Sequence, residues 1–341
     1  MPRGSIVRNR FFAAELLLAG LCSAASAAEP LPGFGAESST FTVSGVSAGG
    51  YMAVQMHVAL SSRVSGVGAL AAGPYWCAQG SISTAMNNCM TPGTWSPLPS
   101  TGVLKANVER LAIDKRIDPP GYLAKSRVWL FSGTQDQTVK PEVVAALGRF
   151  YAAFNARYVV VNDRPAGHAM VTHDAGNACA ATEPPFINDC DYDAAGEMLR
   201  FLLGSLSPPG AKPGGRLLRF DQKPFADGNA YAISLADEGY AYVPAACDNE
   251  RCRVHVALHG CRQGAETIGE RFVREAGYNR WADGNRLIVV YPQVVARYFW
   301  IYNPRGCWDW WGYTGTNYAT KEGAQIRAVA KMVDRLSGSR K

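Results

Sequence analysis

The pentapeptide Gly45-Val46-Ser47-Ala48-Gly49 lies between a strand-like run, Thr40-Phe41-Thr42-Val43, and a helical pattern, Tyr51-Met52-Ala53-Val54-Gln55-Met56. A turn that passes from strand to helix in so few residues admits only small neighbours, and it holds the central serine exposed with the helix N-terminus beneath it. Such an elbow needs a sheet around its strand and helices to cover that sheet. The rest of the chain supplies both. Apolar strand-like runs at 40–44, 66–71, 127–131, 158–162, 239–243, 253–258 and 287–291 alternate with amphipathic stretches at 50–60, 141–154, 194–203, 265–283 and 321–336. This alternation predicts an α/β fold with a mostly parallel sheet and helices on both faces.

The first 27 residues carry Arg3, Arg8 and Arg10, an apolar stretch from Phe11 to Leu21 interrupted by Glu15, and the small-residue site Ala25-Ser26-Ala27. This is the pattern of a secretory signal peptide, and its apolar core is short for a bilayer span. Leu21 before Cys22 argues against lipoprotein processing. The mature chain, 28–341, is expected in the periplasm or outside the cell. Removing the leader lowers the formal net charge from +6 to about +4. No basic run is interleaved with aromatics, so no nucleic-acid partner is expected, nor a membrane once the leader is cleaved, and a monomer is the expected state.

Eight cysteines follow the leader, an even count that in an exported chain implies disulfides. The count alone permits 105 pairings. Pairing between neighbours is the simplest expectation: Cys77 with Cys89, Cys179 with Cys190, Cys247 with Cys252, and the more distant Cys261 with Cys307. Zinc is the rival use, but the chain has no Cys-x-x-Cys pair and no nearby histidine cluster. The Pro/Gly-rich segment 207–215 could divide the chain in two. Each side supplies only part of a sheet, which favours one domain.

A serine nucleophile needs a base within hydrogen-bond reach and a carboxylate to orient that base. Five histidines are available. His57 falls inside the helix after the elbow and His255 inside an apolar strand, so both read as structural. His168 follows the strand ending near Asn162, at the strand-end position where ligands and catalytic groups gather in α/β folds. His173 is the reserve. Asp136 follows the 127–131 strand in the same way, while Asp163 abuts its own strand and reads as a turn residue. The order Ser47, Asp136, His168 is that of the α/β-hydrolases.

Such folds normally place an oxyanion-hole loop ahead of the nucleophile. Here His259-Gly260-Cys261 lies far downstream, after the 253–258 strand. A circular permutation accounts for this if the C-terminal half provides the early strands, and it predicts that the two chain ends lie close together. The oxyanion would then be held by the amides of Ala48 and Cys261. A Cys261–Cys307 bond would bring the aromatic segments Tyr298-Phe299-Trp300-Ile301-Tyr302 and Trp308-Asp309-Trp310-Trp311-Gly312-Tyr313 to the rim of the site, with at least one ring exposed to contact an apolar chain.

The elbow Ser44-Gly45-Val46-Ser47-Ala48-Gly49-Gly50-Tyr51-Met52-Ala53, the loop at His168, His259-Gly260-Cys261 and Asn303-Pro304-Arg305-Gly306-Cys307-Trp308-Asp309-Trp310-Trp311-Gly312-Tyr313 together resemble the poly(3-hydroxybutyrate) depolymerases, in their single-domain, circularly permuted α/β-hydrolase branch. The resemblance covers nearly the whole chain after the leader. It implies Ser47 as nucleophile, His168 as general base and then acid, and Asp136 as its orienting group. It also implies substrate contact at Trp308, with Tyr75 and Trp310 beside it, and no metal or cofactor. Many secreted members carry a separate polymer-binding domain after the catalytic one. This chain stops soon after its last helical stretch, so amorphous polymer or soluble oligomers are the expected substrates. A feruloyl or acetyl-xylan esterase would share the same triad, and a catalytically inactive binding module with the aromatics as its working surface would not need it.

Overall fold

The computed structural model describes Met1, Gly4, residues 28–210 and residues 213–340. Apart from Met1 and Gly4 the expected leader lies outside the described residues, as do Ala211 and Lys212 of the Pro/Gly-rich segment. The strands are β1 (Glu29–Pro30), β2 (Phe41–Val46), β3 (Val64–Leu70), β4 (Arg127–Phe131), β5 (Arg157–Val161), β6 (Met170–Thr172), β7 (Asn177–Ala178), β8 (Ile187–Asp189), β9 (Arg216–Asp221), β10 (Glu238–Val243), β11 (Arg253–Leu258) and β12 (Leu287–Tyr291). The helices are α1 (Ala48–Ala59), α2 (Ile82–Cys89), α3 (Thr101–Ile113), α4 (Pro141–Ala152), α5 (Ala194–Leu203), α6 (Ala265–Ile268), α7 (Arg271–Glu275), α8 (Tyr278–Asp283) and α9 (Ala324–Leu336).

The main sheet runs β1-β9-β10-β12-β11-β2-β3-β4-β5. Only β10 is antiparallel to its neighbours, pairing that way with both β9 and β12. Numbered from Arg216, and setting aside the two-residue edge strand β1, the order becomes 1-2-4-3-5-6-7-8 with the second strand reversed. That is an α/β-hydrolase sheet whose chain begins before β2, the strand of the Gly-x-Ser-x-Gly elbow, and the fold is therefore circularly permuted. The ends meet as permutation requires: Phe34 and Ala36 donate their N–H groups to the Leu336 carbonyl at 2.9 and 3.0 Å, and Arg335 Nε donates to the Leu31 carbonyl at 2.7 Å. β6, β7 and β8 form a separate small sheet beside the loop that carries His168.

The central strands read as unbroken apolar runs because both of their faces are covered. β12 (Leu-Ile-Val-Val-Tyr) is buried along its whole length. Side chains of α1, α3, α4 and α9 pack into a core on one face, and those of α5, α7 and α8 into a core on the other. The strands of this one sheet come from both sides of segment 207–215.

Two expectations need correction. The single helix predicted over 265–283 is three short helices, interrupted at Gly269 (φ +60°) and Gly277 (φ +88°), where the chain takes the left-handed conformation open to glycine. The short strands β1, β6, β7 and β8 were not expected, and neither was β9. Its residues alternate poorly between exposed and buried, as befits a strand near the sheet edge, and only Phe220 is fully enclosed.

Candidate active site

Ser47 sits between β2 and α1 at φ +57° and ψ −125°, a conformation that costs a non-glycine residue about 1–3 kcal/mol. The glycines around it make this possible. A Cβ at Gly45 would strike the Gly49 backbone, and one at Gly49 would strike the carbonyls of Leu258 and His259 on β11 and its following loop. The elbow therefore packs directly against the neighbouring strand.

The loop after β4 carries Asp136, which is 1% exposed. Its Oδ1 accepts from the amides of Thr138 (2.8 Å) and Val139 (2.9 Å), which fixes the carboxylate plane. Backbone bonds from Thr134 to Arg164 and from Gln135 to Ala166 tie this loop to the one carrying His168. That second loop is braced further by His168 N–H donating to Thr182 Oγ1 at 2.9 Å and by the Cys179–Cys190 disulfide.

These restraints bring the three groups into line. His168 Nδ1 lies 2.8 Å from Asp136 Oδ2, and His168 Nε2 lies 2.8 Å from Ser47 Oγ. With the carboxylate accepting the Nδ1 proton, Nε2 is left as an acceptor facing the serine hydroxyl. Ser47 and His168 are 9% and 7% exposed, open at the floor of a cleft. The other histidines and Asp163 lie apart from this chain of bonds. His57 bonds Tyr151 Oη at 2.9 Å, and His255 lies between Thr42 Oγ1 (2.7 Å) and Ser44 Oγ (2.8 Å). Burial pushes both rings down to about 3, so they stay neutral in the core. His173 is exposed beside Asp191, and Asp163 is exposed beside Arg164.

β11 pairs with β2 so that Leu258 faces Gly45, which delivers His259-Gly260-Cys261 to the elbow. The amide of Ala48 is at the first helical position, where no intrahelical partner exists. Neither it nor the amide of Cys261 has an acceptor among the described residues. Two side chains hold this loop: Gln263, which sequence reasoning missed, and His259, whose His-Gly motif was recognised without a role for its ring. Gln263 accepts from the Gly260 amide at 2.7 Å and donates to the Phe186 carbonyl at 2.7 Å. His259 Nε2 accepts from the Val294 amide at 3.2 Å, which leaves its Nδ1–H to donate to the Gly260 carbonyl at 2.7 Å. Burial pushes His259 down to about 4 and keeps it in that neutral form. For Gln263 the only sequence signal is a glutamine close to a glycine-rich strand end, whereas the His-Gly motif itself marks His259.

The four disulfides pair as the neighbour rule predicts, and Cys261–Cys307 ties the His259-Gly260-Cys261 loop to the aromatic segment. The aromatic expectations divide. Tyr75, Trp308 and Trp310 are 1%, 0% and 5% exposed, and none lines the cleft at Ser47. Tyr75 Oη donates to the Ala319 carbonyl, and Trp310 stacks on Tyr51 with centroids 4.0 Å apart. Within the two aromatic segments the exposed rings are those of Tyr298, Phe299, Trp300 and Tyr302, with Trp300 at 99%. Trp308 has one unusual feature: its indole N–H is buried with no partner among the described residues, and its ring lies 5.8 Å from that of His259.

The cleft has a volume of ≈ 70 Å³, and its walls include Met90, Thr138, Phe186, Arg262 and Arg305. A wider cavity of ≈ 590 Å³ beside Tyr242 and Arg280 contains none of the three aligned residues. Among the described residues no cluster of His, Cys, Asp and Glu could hold a metal ion, and no helix is long and apolar enough to cross a membrane.

No family model matches the chain. It is 40% identical over 341 aligned residues to a poly(3-hydroxybutyrate) depolymerase of Delftia acidovorans, covering 98% of this chain and 66% of that one. It is 36% identical to a polyhydroxybutyrate depolymerase of Talaromyces funiculosus, covering 94% of this chain and 96% of that one. The crystal structure of the PHB depolymerase from Penicillium funiculosum superposes with a TM-score of 0.81 at 34% identity, over 90% of this chain and 98% of that one. A serine-to-alanine variant of a PHB depolymerase, complexed with an R3HB trimer, matches equally well. On identity and coverage together, the chain belongs to the poly(3-hydroxybutyrate) depolymerase family of carboxylic ester hydrolases.

Proposed function

We propose that this protein is a secreted or periplasmic serine esterase, with residues 28–341 forming one catalytic domain, that hydrolyses poly(3-hydroxybutyrate) or its oligomers to short hydroxybutyrate products. The observation that carries this reading is the pair of 2.8 Å contacts linking Asp136, His168 and Ser47. His168 Nε2 takes the Ser47 hydroxyl proton as Oγ attacks the ester carbonyl carbon. The oxyanion that forms accepts from the amides of Ala48 and Cys261. Its collapse breaks the bond to the alkoxy oxygen, which leaves with the proton from His168 as a free hydroxyl. The acyl group is now on Ser47. A water then gives one proton to His168 and its oxygen to the acyl carbon, which releases the carboxylic acid and restores the serine. Asp136 remains ionised throughout and stabilises the imidazolium.

Two features support a polyester chain as substrate. The indole N–H of Trp308, buried and unpaired among the described residues, is a donor that pairing with a substrate carbonyl would satisfy. The exposed rings of Tyr298, Phe299, Trp300 and Tyr302 offer rigid apolar contact area, which costs little entropy to order. The relatives are named for this polymer, and one structure holds an R3HB trimer.

The test is product analysis by liquid chromatography. The mature protein and its Ser47→Ala variant are supplied with amorphous polymer, soluble hydroxybutyrate oligomers and a feruloyl ester. Serine-dependent release of hydroxybutyrate is the expected result. Turnover of the feruloyl ester alone would keep the triad and overturn the polyester assignment.

A further inference from the structure

Arg262 and Arg305 both line the cleft that holds Ser47 and His168. No carboxylate pairs with either of them among the described residues. Their backbones are joined, the Arg262 amide donating to the Arg305 carbonyl at 2.8 Å, and both stand next to residues of the Cys261–Cys307 disulfide or its turn. The Arg262 guanidinium is held 4.7 Å over the ring of Phe186, itself a wall of the cleft. Two cations are thus carried on one braced unit beside the oxyanion loop.

Like charges sharing a cleft without a counter-ion repel, and both burial and the proximity of Arg305 pull the Arg262 pKa down. An anion relieves that repulsion. The interior of a polyester chain is neutral and offers none. The acid end of every hydroxybutyrate oligomer is a carboxylate, which matches the planar fork of a guanidinium.

We propose that Arg262 and Arg305 form a carboxylate subsite that receives the free acid end of an oligomer while an internal ester of the same chain is cleaved at Ser47. This deepens the esterase reading and rests on it. The subsite makes short acidic chains better substrates than neutral chains of the same length.

The experiment compares the hydroxybutyrate trimer acid with the same trimer capped as its neutral methylamide, following internal ester scission by chromatography. The wild-type protein should favour the acid in kcat/KM by about 10- to 100-fold, the range of one or two charge-assisted hydrogen bonds. Raising salt should narrow that ratio. Arg262→Gln with Arg305→Gln should bring it close to one, whereas Arg305→Lys, which keeps the charge, should retain most of it. Equal rates for acid and methylamide in the wild type, or an unchanged ratio in the double variant, would overturn the subsite and leave the esterase standing. Turnover of neither substrate would overturn both readings.

Discussion

Replacing His259 by phenylalanine removes the Nδ1–H that donates to the Gly260 carbonyl at 2.7 Å, while a ring of similar size remains between Trp308 and Phe272. The Gly260 carbonyl and the Cys261 amide belong to one planar trans peptide and point in opposite directions. Holding the carbonyl on the buried side therefore holds the amide toward the cleft. Complete loss of one oxyanion donor costs about 2.7–4 kcal/mol of transition-state stabilisation. The Gln263 contact at 2.7 Å and the Cys261–Cys307 bond still restrain the loop, so only part of that is forfeited. We expect kcat to fall by about 10- to 100-fold with KM within about twofold, because the amide acts on charge that develops after binding. The Val294 amide also loses its acceptor, at a cost of about 1–3 kcal/mol of stability, so rates are compared where circular dichroism shows both proteins folded. His259→Asn, which can place a donor near Nδ1, should recover part of kcat. A rise in KM at constant kcat, or lost stability with no change in kcat, would refute the peptide-orienting role.

Asp136→Asn keeps the loop and removes the negative charge facing His168 Nδ1, so kcat should drop by about 10⁴ with little change in oligomer affinity, as measured with the soluble trimer. Replacing both Cys261 and Cys307 by serine opens a link with a sequence separation of 46, which the chain-entropy estimate puts at about 4 kcal/mol, read as a lower urea midpoint, and turnover should fall as well because the oxyanion loop loosens. His57, His255 and His259 are held neutral at about 3, 3 and 4, below the ordinary value of 6.5. Between those values the unfolded chain binds more protons than the native one, so stability should decline as pH is lowered from 6.5 toward 4, by up to about 4 kcal/mol per pH unit where all three are protonated only when unfolded. Equal urea midpoints at pH 7, 6 and 5 would contradict this.

The parts of the site most legible in the sequence are those whose chemistry depends on residue type and strand-end position. Ser47 is marked by glycines that exist because the elbow abuts Leu258 and His259, and Asp136 and His168 each follow an apolar strand. His255 was readable as core because an apolar run surrounds it. The supports were not legible. Gln263 reaches the Phe186 carbonyl, a residue 77 positions away, and no local pattern announces such a bond. The burial of Tyr75 and Trp310 is likewise a tertiary fact: Trp310 is covered because Tyr51, on the helix behind the elbow, stacks on it. Helix periodicity misled at 265–283, where the apolar spacing continues across Gly269 and Gly277 while the backbone turns at each.

The permutation leaves the chemistry untouched because the site is assembled from neighbouring strand ends and not from chain order. β11, β2, β3, β4 and β5 are adjacent and parallel. Their carboxyl ends therefore open on the same edge of the sheet, and the loops they emit bring the proposed oxyanion peptide, Ser47, Asp136 and His168 to that edge. A break between the early and late strands needs only that the new termini be close, which the Phe34 and Ala36 contacts to Leu336 provide. What the new order changes is the route by which the oxyanion loop is secured. It lies far from the elbow in sequence, so its position depends on the β11–β2 pairing, the His259 and Gln263 contacts and the Cys261–Cys307 bond. Perturbations of that loop should consequently cost turnover, and those that break the Cys261–Cys307 bond should cost stability as well, because Cys307 also belongs to the core on one face of the sheet.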